Sequence, residues 1–359
     1  MPAQNVRHLF DPDPEVVYLD AGTYGLPPRP AISALMEALH RWQTGVADYA
    51  RDWETAGERS RELFAQLIGA AVETIALTPT ASAGVGMVAA SLPAGAEILV
   101  PQEEFTSVVV PFYAAVEGRG ITLREVPYRE LAAEIRPRTA LVAFSLTRAQ
   151  SGETADLGQI IAAARRHGTR VLVDGTQAIP FVPVKEHLDG IDYLVCHGYK
   201  HLLLPRGAAF FYIKRERWEE NLPYLANSRS VSRMYGGPLT LAPRASRFDI
   251  SLAWHSWVGA VPALELLVQW DQDGTLLAAK ELANRLALGL ELPPPGASLV
   301  CVKTEDPERA THILQAAGVK AASRGANVRL APHVYNTEAE IDRAIKVVRE
   351  VLTSVGPRS

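Results

Sequence analysis

Short runs of consecutive apolar residues alternate with longer amphipathic segments between residues 74 and 215. The runs predict seven strands: Ile75–Leu77, Ile98–Val100, Leu123–Val126, Leu141–Phe144, Val171–Val173, Tyr193–Val195 and Ala208–Ile213. The intervening segments include predicted helices over 105–118 and 156–167. Continuous apolar runs are typical of strands covered on both faces. The pattern therefore predicts an α/β fold with a mainly parallel seven-stranded sheet and helices on both faces.

The segments around this alternation predict four parts of the chain: an N-terminal segment over 1–30, a large domain over 31–253, a connecting helix over 254–290 and a small α+β C-terminal domain over 291–359. The large domain is expected to begin with a helix over 31–68. It ends in a stretch rich in Gly, Pro, Ser and Arg, over 216–250, which predicts a long irregular excursion. The last helix of the small domain is predicted from the capping-box pattern Thr337–Glu340.

Composition limits the classes of function. The chain has 359 residues, 48% of them hydrophobic, and a net charge of −4. Because no Lys/Arg stripe with interleaved aromatic residues is present, a nucleic-acid partner is not expected. A membrane partner is not expected either, since no apolar stretch could span a bilayer. The first residues lack a signal-peptide pattern, and only Cys196 and Cys301 are available, so we expect a reduced, cytoplasmic protein.

Two charged residues follow neighbouring predicted strands. Asp174 comes directly after Val171–Val173, and Lys200 follows the next strand after a Gly-Tyr step. The ends of strands in α/β sheets are where ligands bind. A lysine and a carboxylate there suit pyridoxal phosphate (PLP), because the lysine can form a Schiff base while the carboxylate keeps the pyridine nitrogen protonated. Singly, Asp174 could be a turn residue and Lys200 a solvated lysine.

A third motif, Thr78–Gly84, lies between a predicted strand and a predicted helix. Small hydroxylated residues at a helix start expose backbone N–H groups, and the helix dipole favours an anion such as a phosphate. A plain Ser/Thr N-cap is the alternative interpretation. Beside Asp174 and Lys200 we favour the phosphate site. No His, Cys, Asp or Glu cluster has metal-ligand spacing, so no metal is predicted.

Three motifs in order resemble the class V aminotransferase family of fold-type I PLP enzymes, which includes cysteine desulfurases, kynureninases and isopenicillin-N-epimerase-like proteins. They are the Asp-x-x-Gln strand Val171–Ala178, the segment Cys196–Lys200 followed by Pro205–Gly207, and the arginine strand Val328–Thr337. The resemblance covers almost the whole chain and implies the fold-type I architecture and PLP as cofactor.

The resemblance also implies roles for single residues. Lys200 would hold PLP and shuttle protons, Asp174 would pair with the pyridinium nitrogen, and Gln177 would donate to the ring hydroxyl. The other implied cofactor contacts are Thr80, Ala81 and Ser82 at the phosphate, His197 and Tyr199 near it, and Phe105 stacked on the ring. A phenyl ring can stack but cannot act as an acid or base, and Phe105 could instead be a core residue. His167, His187 and His201 are interpreted as ordinary surface or packed residues.

On the substrate side, Arg329 matches the family arginine that binds the α-carboxylate, although a structural ion pair is the alternative. Arg324 is a second candidate anion binder. The loop Asp20–Gly25, with Tyr24, is expected to line the pocket. The asparagine that many relatives place near the cofactor falls close to Ala149 in this chain.

The implied function is that of a PLP-dependent enzyme acting on an amino acid or amino compound through an external aldimine and removal of the Cα proton. An aminotransferase-like reaction is the first expectation. The alternatives are a lyase (C–S or β-elimination), an epimerase or, in a different class, a non-catalytic binding protein of the same fold. Segment 316–325 lacks the cysteine that desulfurases carry there, so we expect that the chain is not a cysteine desulfurase.

The family also implies a homodimer. In this fold the phosphate site usually borrows residues from a second subunit. Gly237, within the predicted excursion 216–250, is the candidate for that contact.

Overall fold

The computed structural model describes residues 6–233, 235–238 and 240–355. The strands of these residues are β1 (Val17–Tyr18), β2 (Ile75–Thr78), β3 (Glu97–Pro101), β4 (Thr122–Val126), β5 (Thr139–Ser145), β6 (Arg170–Asp174), β7 (Tyr193–His197), β8 (Ala209–Ile213), β9 (Val300–Lys303), β10 (Val319–Lys320), β11 (Ala322–Arg324) and β12 (Asn327–Leu330).

The α-helices of the same residues are α1 (Arg29–Gln43), α2 (Thr55–Ile68), α3 (Ala81–Ser91), α4 (Thr106–Val116), α5 (Leu131–Glu134), α6 (Leu157–His167), α7 (Trp254–Gln272), α8 (Thr275–Gly289), α9 (Pro307–Ala316) and α10 (Glu338–Val355). No helix in this described part of the chain is long and apolar enough to cross a membrane.

The central sheet has seven strands in the order β2-β8-β7-β6-β5-β3-β4. Strand β8 is antiparallel to both of its neighbours, and the other pairs are parallel. The predicted mainly parallel seven-stranded sheet is confirmed, and each predicted strand is present. Strands β5, β6 and β7 lie side by side near the middle of the sheet, so their carboxyl ends meet at one edge.

Both faces of the sheet are covered, which explains the continuous apolar runs. On β6, Val171 and Val173 face a core shared with α2, α6 and α7, whereas Leu172 faces a second core shared with α3 and α4. Leu194 and Val195 on β7 divide in the same way. Since successive side chains of a strand point to opposite faces, every position of these strands must be apolar.

A smaller sheet, in the order β11-β12-β9, lies in the C-terminal part and is antiparallel. A third hydrophobic core joins this sheet to α8, α9 and α10, and it includes Val17 and Leu19 from the N-terminal segment. Strand β1 pairs in parallel with β10. The predicted small α+β domain is present, and the N-terminal segment packs against it. The division of the chain into four parts stays a prediction.

Two predicted helices are each two helices in the structure. The expected helix over 31–68 is interrupted between α1 and α2, where Gly45 has a positive φ of 72° and a π-helical turn covers Tyr49–Glu54. The expected helix over 254–290 breaks into α7 and α8 at Gly274, whose φ is 83°. Apolar periodicity continues across both breaks, so the pattern alone did not mark them. Glycine adopts the left-handed conformation without the steric cost that other residues incur.

Candidate active site

The strands β5, β6 and β7 bring the central residues together. Ser145, Asp174 and Val195 are paired across the three strands. The backbone N–H of His197 donates to Thr176 Oγ1 at 3.0 Å, which ties the end of β7 to the turn after β6. Six predicted site residues line one buried cavity at this edge: Ala81, Phe105, Asp174, Gln177, His197 and Lys200. The structure therefore brings together the residues that the motifs place far apart in sequence.

Asp174 is buried, and its carboxylate receives one backbone hydrogen bond, from the N–H of Thr176 to Oδ1 at 2.9 Å. Burial raises the pKa of Asp174, and the bonds from Thr176 and the charge of Lys200 oppose that rise. A buried carboxylate is costly without a cation beside it. The site fits a ligand that brings a protonated nitrogen, as the pyridine ring of PLP does.

Lys200 is 6% exposed. Burial lowers its pKa to about 8, Asp174 opposes this shift, and the charges of Arg329 and Arg324 add to it. A lysine with such a pKa has a useful fraction of neutral amine near neutral pH, which the nucleophile of a Schiff base requires. The Lys200 Nζ lies 4.9 Å from the centre of the Phe105 ring. Phe105 is 38% exposed, so it is not a core residue.

His197 is buried in the same cavity, and its Nδ1 has no hydrogen-bond partner among the described residues. Burial, followed by the charges of Lys200 and Arg206, lowers the pKa of His197 to about 4, so the ring is neutral. Tyr199 does not line this cavity. Its ring lies 4.6 Å from that of His197 and 5.4 Å from the guanidinium of Arg206.

The predicted phosphate motif forms the start of α3. Thr80 is the N-cap: its Oγ1 accepts from the Ala83 N–H at 3.3 Å and lies 3.0 Å from Ser82 Oγ. The structure shows the N-cap. The phosphate site stays a prediction that is compatible with this cap, because a capped helix start still presents the N–H groups of its first turn. Gly84 packs this helix directly on the sheet, since a Cβ there would lie 2.8 Å from Val195 Cγ1.

Arg329 reaches the site from β12, where it is paired with Cys301 of β9. Its side chain is 1% exposed; Nη2 donates to Thr23 Oγ1 at 2.7 Å and Nη1 to the Ala149 carbonyl at 3.1 Å. Asp20 Oδ1 lies 3.5 Å from Nη2. Neither Asp20 Oδ1 nor Arg329 Nε has a hydrogen-bond partner among the described residues. The Arg329 Nε–H donor is thus available to an acceptor such as a carboxylate. The choice between substrate binding and a structural ion pair stays a prediction.

Arg324 converges on the same point, because its Nη2 also donates to Thr23 Oγ1, at 3.0 Å. The loop that carries Thr23 passes close over Arg329. A Cβ at Gly22 would lie 3.0 Å from Arg329 Cζ, and the Gly25 N–H donates to the Tyr199 carbonyl at 2.9 Å. Loop 20–25 therefore contacts both the arginine strand and the lysine segment.

Two other predicted residues are more peripheral. Tyr24, in loop 20–25, is 46% exposed, and its carbonyl accepts from the Tyr18 hydroxyl at 2.7 Å. Gly237 lies in an exposed loop and does not line the cavity that holds Lys200. Its predicted role depends on a second subunit and stays a prediction.

Sequence reasoning missed several polar residues of the site. Glu104 is partly buried between β3 and α4; it accepts from the Ser145 N–H at 2.9 Å and the Ser145 hydroxyl at 2.6 Å. Burial raises the pKa of Glu104. Thr176 was likewise not assigned. Asp20 and Thr23 were predicted only as members of the pocket-lining loop 20–25, without roles of their own. Glu104 lies four residues after the predicted strand Ile98–Val100, and Thr176 lies three residues after Val171–Val173. This position in the loops that follow the strands was the available signal.

The family model described as "Aminotransferase class-V" matches residues 17–343. The chain belongs to the class-V aminotransferase family. Its cofactor is accordingly PLP, as the resemblance implied.

Curated relatives of this class-V aminotransferase family member carry different names. YcbU of Bacillus subtilis (strain 168), described as an uncharacterized aminotransferase, is 27% identical over 350 residues, which cover 87% of this chain and 90% of that protein. Isopenicillin N epimerase of Amycolatopsis lactamdurans is 28% identical over 230 residues, which cover 59% of this chain and 58% of that protein.

Solved structures confirm the fold-type I architecture. The cysteine desulfurase CsdA of Escherichia coli superposes with a TM-score of 0.82 at 23% identity, covering 98% of both chains. A mutant of C-DES, with glycine covalently linked to its PLP cofactor, superposes with a TM-score of 0.88 at 23% identity, covering 96% of this chain and 99% of that one.

The prediction that the chain is not a cysteine desulfurase is wrong as an exclusion. A cysteine desulfurase of Salmonella newport (strain SL254) is 27% identical over 238 residues, 60% of this chain and 58% of that protein, and CsdA shares the fold. The exclusion relied on segment 316–325 having no cysteine. That thiolate only accepts the sulfur, whereas breaking the C–S bond depends on the cofactor and its lysine. One residue of a surface segment therefore does not separate this chain from desulfurases.

Proposed function

We propose that this protein is a PLP-dependent enzyme that removes the Cα proton of an α-amino acid and, as its main reaction, transfers the amino group. The match to YcbU, described as an aminotransferase, spans 87% of this chain and supports the choice of transamination. Elimination and epimerisation are the alternative outcomes, since both begin with the same proton removal.

The observation that carries this proposal is the buried arginine beside the lysine. Arg329 is almost fully buried, its Nε has no hydrogen-bond partner in the described part of the chain, and its charge contributes to the lowered pKa of Lys200. A carboxylate bound at Arg329 would neutralise a buried cation and bring the neighbouring amino group towards Lys200. Amino acids carry these two groups on one carbon atom, which is why an α-amino acid is the proposed substrate.

Each residue of the site has a separate role in the proposed reaction. PLP, when bound, supplies an electron sink for the charge left by a lost proton. Lys200 binds PLP and then, as a neutral amine, accepts the Cα proton and returns it. Asp174 holds the ring nitrogen protonated, and Arg329, with Thr23, orients the substrate through its carboxylate. The first turn of α3 and His197 would hold the phosphate group.

Conversion of the substrate, followed together with exchange of its Cα hydrogen in deuterated water, tests the proposal, because all three outcomes require removal of the Cα proton. The PLP-loaded protein is incubated with single amino acids, and substrates and products are followed by mass spectrometry. Transamination without an added keto acid stops after one conversion per site, elimination continues, and epimerisation exchanges hydrogen without loss of the amino group. Absence of both Cα exchange and product with every amino acid would overturn the proposal.

We also propose that the enzyme is a C₂ homodimer. A groove of about 1050 Å³ lies between α3 and α4, and Thr80 and Ser107 line it. Ser107 also lines the cavity that holds Lys200, so the groove adjoins the site. Tyr235, beside Gly237, is 84% exposed, which leaves this loop available to a second copy.

Light scattering on the PLP-loaded protein tests this assembly. The mass expected for a dimer is twice the 39.0 kDa of one chain. Replacing Tyr235 by Ala should weaken the dimer, because exposed aromatic side chains often anchor interfaces. A monomer that retains PLP and turns over substrate would contradict the homodimer.

A further inference from the structure

A buried chain of hydrogen bonds leads to Gln177 at the cavity. The Gln177 Nε2–H donates to the Gly22 carbonyl at 2.9 Å, and Gln177 Oε1 lies 3.0 Å from His201 Nε2. Because a backbone carbonyl can only accept, the amide nitrogen of Gln177 must face Gly22. Its oxygen then faces His201, which requires the proton of the imidazole to reside on Nε2.

His201 is fully buried, and its Nδ1 has no hydrogen-bond partner among the described residues. Burial lowers the pKa of His201 well below its ordinary value, and the nearby groups His333, Arg329 and Lys200 act in the same direction. Protonation of Nδ1 would place a charge in an apolar position next to two cations. His201 is therefore a neutral imidazole with one fixed tautomer, directed at Gln177.

His333, between β12 and α10, fixes His201 from the other side. Its Nδ1 accepts from the Val334 N–H at 2.9 Å, so its proton is on Nε2, which lies 3.0 Å from the His201 carbonyl. The edge of Phe181 contacts both imidazoles, with ring centres 5.7 Å from His201 and 5.1 Å from His333. All donors run in one direction, from Val334 towards Gln177.

The last bond of this chain leaves one amide hydrogen of Gln177 unused. Gln177 lines the cavity together with Asp174 and Lys200. We propose that His201 is a positioning residue that locks the Gln177 carboxamide, so that its second N–H is presented to the cofactor in this cavity. His333 links this lock to the small domain. The inference depends on the proposed function for its ligand, because a PLP ring hydroxyl is the acceptor that the family resemblance assigns to Gln177.

A matched pair of variants separates this role from packing. His201→Gln keeps an N–H donor near the position of Nε2, whereas His201→Met has similar length and no donor. Loss of a donor to the ring hydroxyl makes that oxygen more basic, so in His201→Met the pH midpoint of the visible absorbance of bound cofactor should rise by about 0.5–1 unit. The dissociation constant of PLP should rise roughly 3- to 10-fold. His201→Gln should resemble the wild type in both measurements.

A folded His201→Met protein with the wild-type midpoint and affinity would overturn the proposal, and so would a His201→Gln protein that shifts as much as His201→Met. A second measurement does not depend on a variant folding with cofactor. Nitrogen NMR of ¹⁵N-histidine in the wild-type apoprotein should show His201 as the Nε2–H tautomer, still uncharged at pH values where an ordinary histidine is protonated. An Nδ1–H tautomer or a cationic ring would also overturn it. If the wild-type protein shows no visible absorbance band with PLP, the proposed function is wrong. The NMR measurement on the apoprotein still tests the hydrogen-bond chain in that case.

Discussion

At the scale of single residues, the charge balance at Lys200 sets when its amine can react. Its pKa of about 8, below the ordinary 10.5, leaves about a tenth of the amine neutral at pH 7. We expect the rate of PLP uptake by the apoprotein to rise with pH through a midpoint near 8. Stopped-flow absorbance between about pH 6.5 and 10 measures it. Since Asp174 raises the pKa of Lys200, Asp174→Asn should move the midpoint to lower pH; a wild-type midpoint above 10 would contradict the buried-lysine account.

Arg329 carries the prediction for substrate recognition. Arg329→Lys should lower kcat/KM for the true substrate, because an ammonium cannot reproduce the fork of a guanidinium. The decrease should correspond to a loss of roughly 2–5 kcal/mol in transition-state binding free energy. The absorbance of bound PLP should not change, since other residues hold the cofactor. Arg285→Lys, at an exposed ion pair with Asp342, is the matched control and should retain activity. Unchanged kcat/KM in Arg329→Lys would remove the carboxylate role.

The site residues that could be predicted from sequence are those whose position next to a predicted buried strand already indicates a function. Asp174 and Lys200 follow buried strands, and a charge at such a position indicates a ligand site. Thr23 could not be assigned in the same way, because its importance comes from a hydrogen bond to Arg329, 306 positions along the chain. His201 follows Lys200 directly, yet only the contact with Gln177 distinguishes it from a packed histidine.

At the scale of elements, the tight contact between α3 and the sheet positions the predicted phosphate site. Gly84→Ala would bring a Cβ within 2.8 Å of Val195 Cγ1 and 3.1 Å of the Phe211 ring, both in the core. We expect a loss of about 1–3 kcal/mol in the free energy of unfolding and weaker PLP binding. Gly86→Ala is the control, because its Cβ meets only the Tyr224 hydroxyl, at 2.8 Å, on a half-exposed side chain. Urea unfolding compares the two; equal stability would show that this contact does not constrain α3.

Strands could be predicted from sequence where both of their faces are buried. Strands β5 to β7 touch a core on each face, so their apolar runs identify them. The positions of the helix breaks at Gly45 and Gly274 could not be predicted from the apolar pattern, because a single glycine inside a periodic segment fits a continuous helix as well as a break.

At the scale of the whole molecule, the candidate site draws on three separate parts of the chain. The central sheet supplies Lys200, the small sheet supplies Arg329, and loop 20–25 contacts both. Motif order predicted the first two contributions, and loop 20–25 was expected to line the pocket, but its contacts with both elements were not predicted. The bridging loop depends on the pairing of β1 with β10, a contact between short strands of two residues each that carries no recognisable sequence signal.

The central claim is that Lys200 holds PLP in a site built for an amino acid. Borohydride reduction of the PLP-loaded protein, followed by peptide mapping, tests it most directly, because reduction makes the bond between lysine and cofactor permanent. We expect one pyridoxyl label per chain, on the peptide that contains Lys200, and none in Lys200→Arg, which keeps the positive charge but cannot form the Schiff base. A label on another lysine, or an undiminished label in Lys200→Arg, would contradict the account.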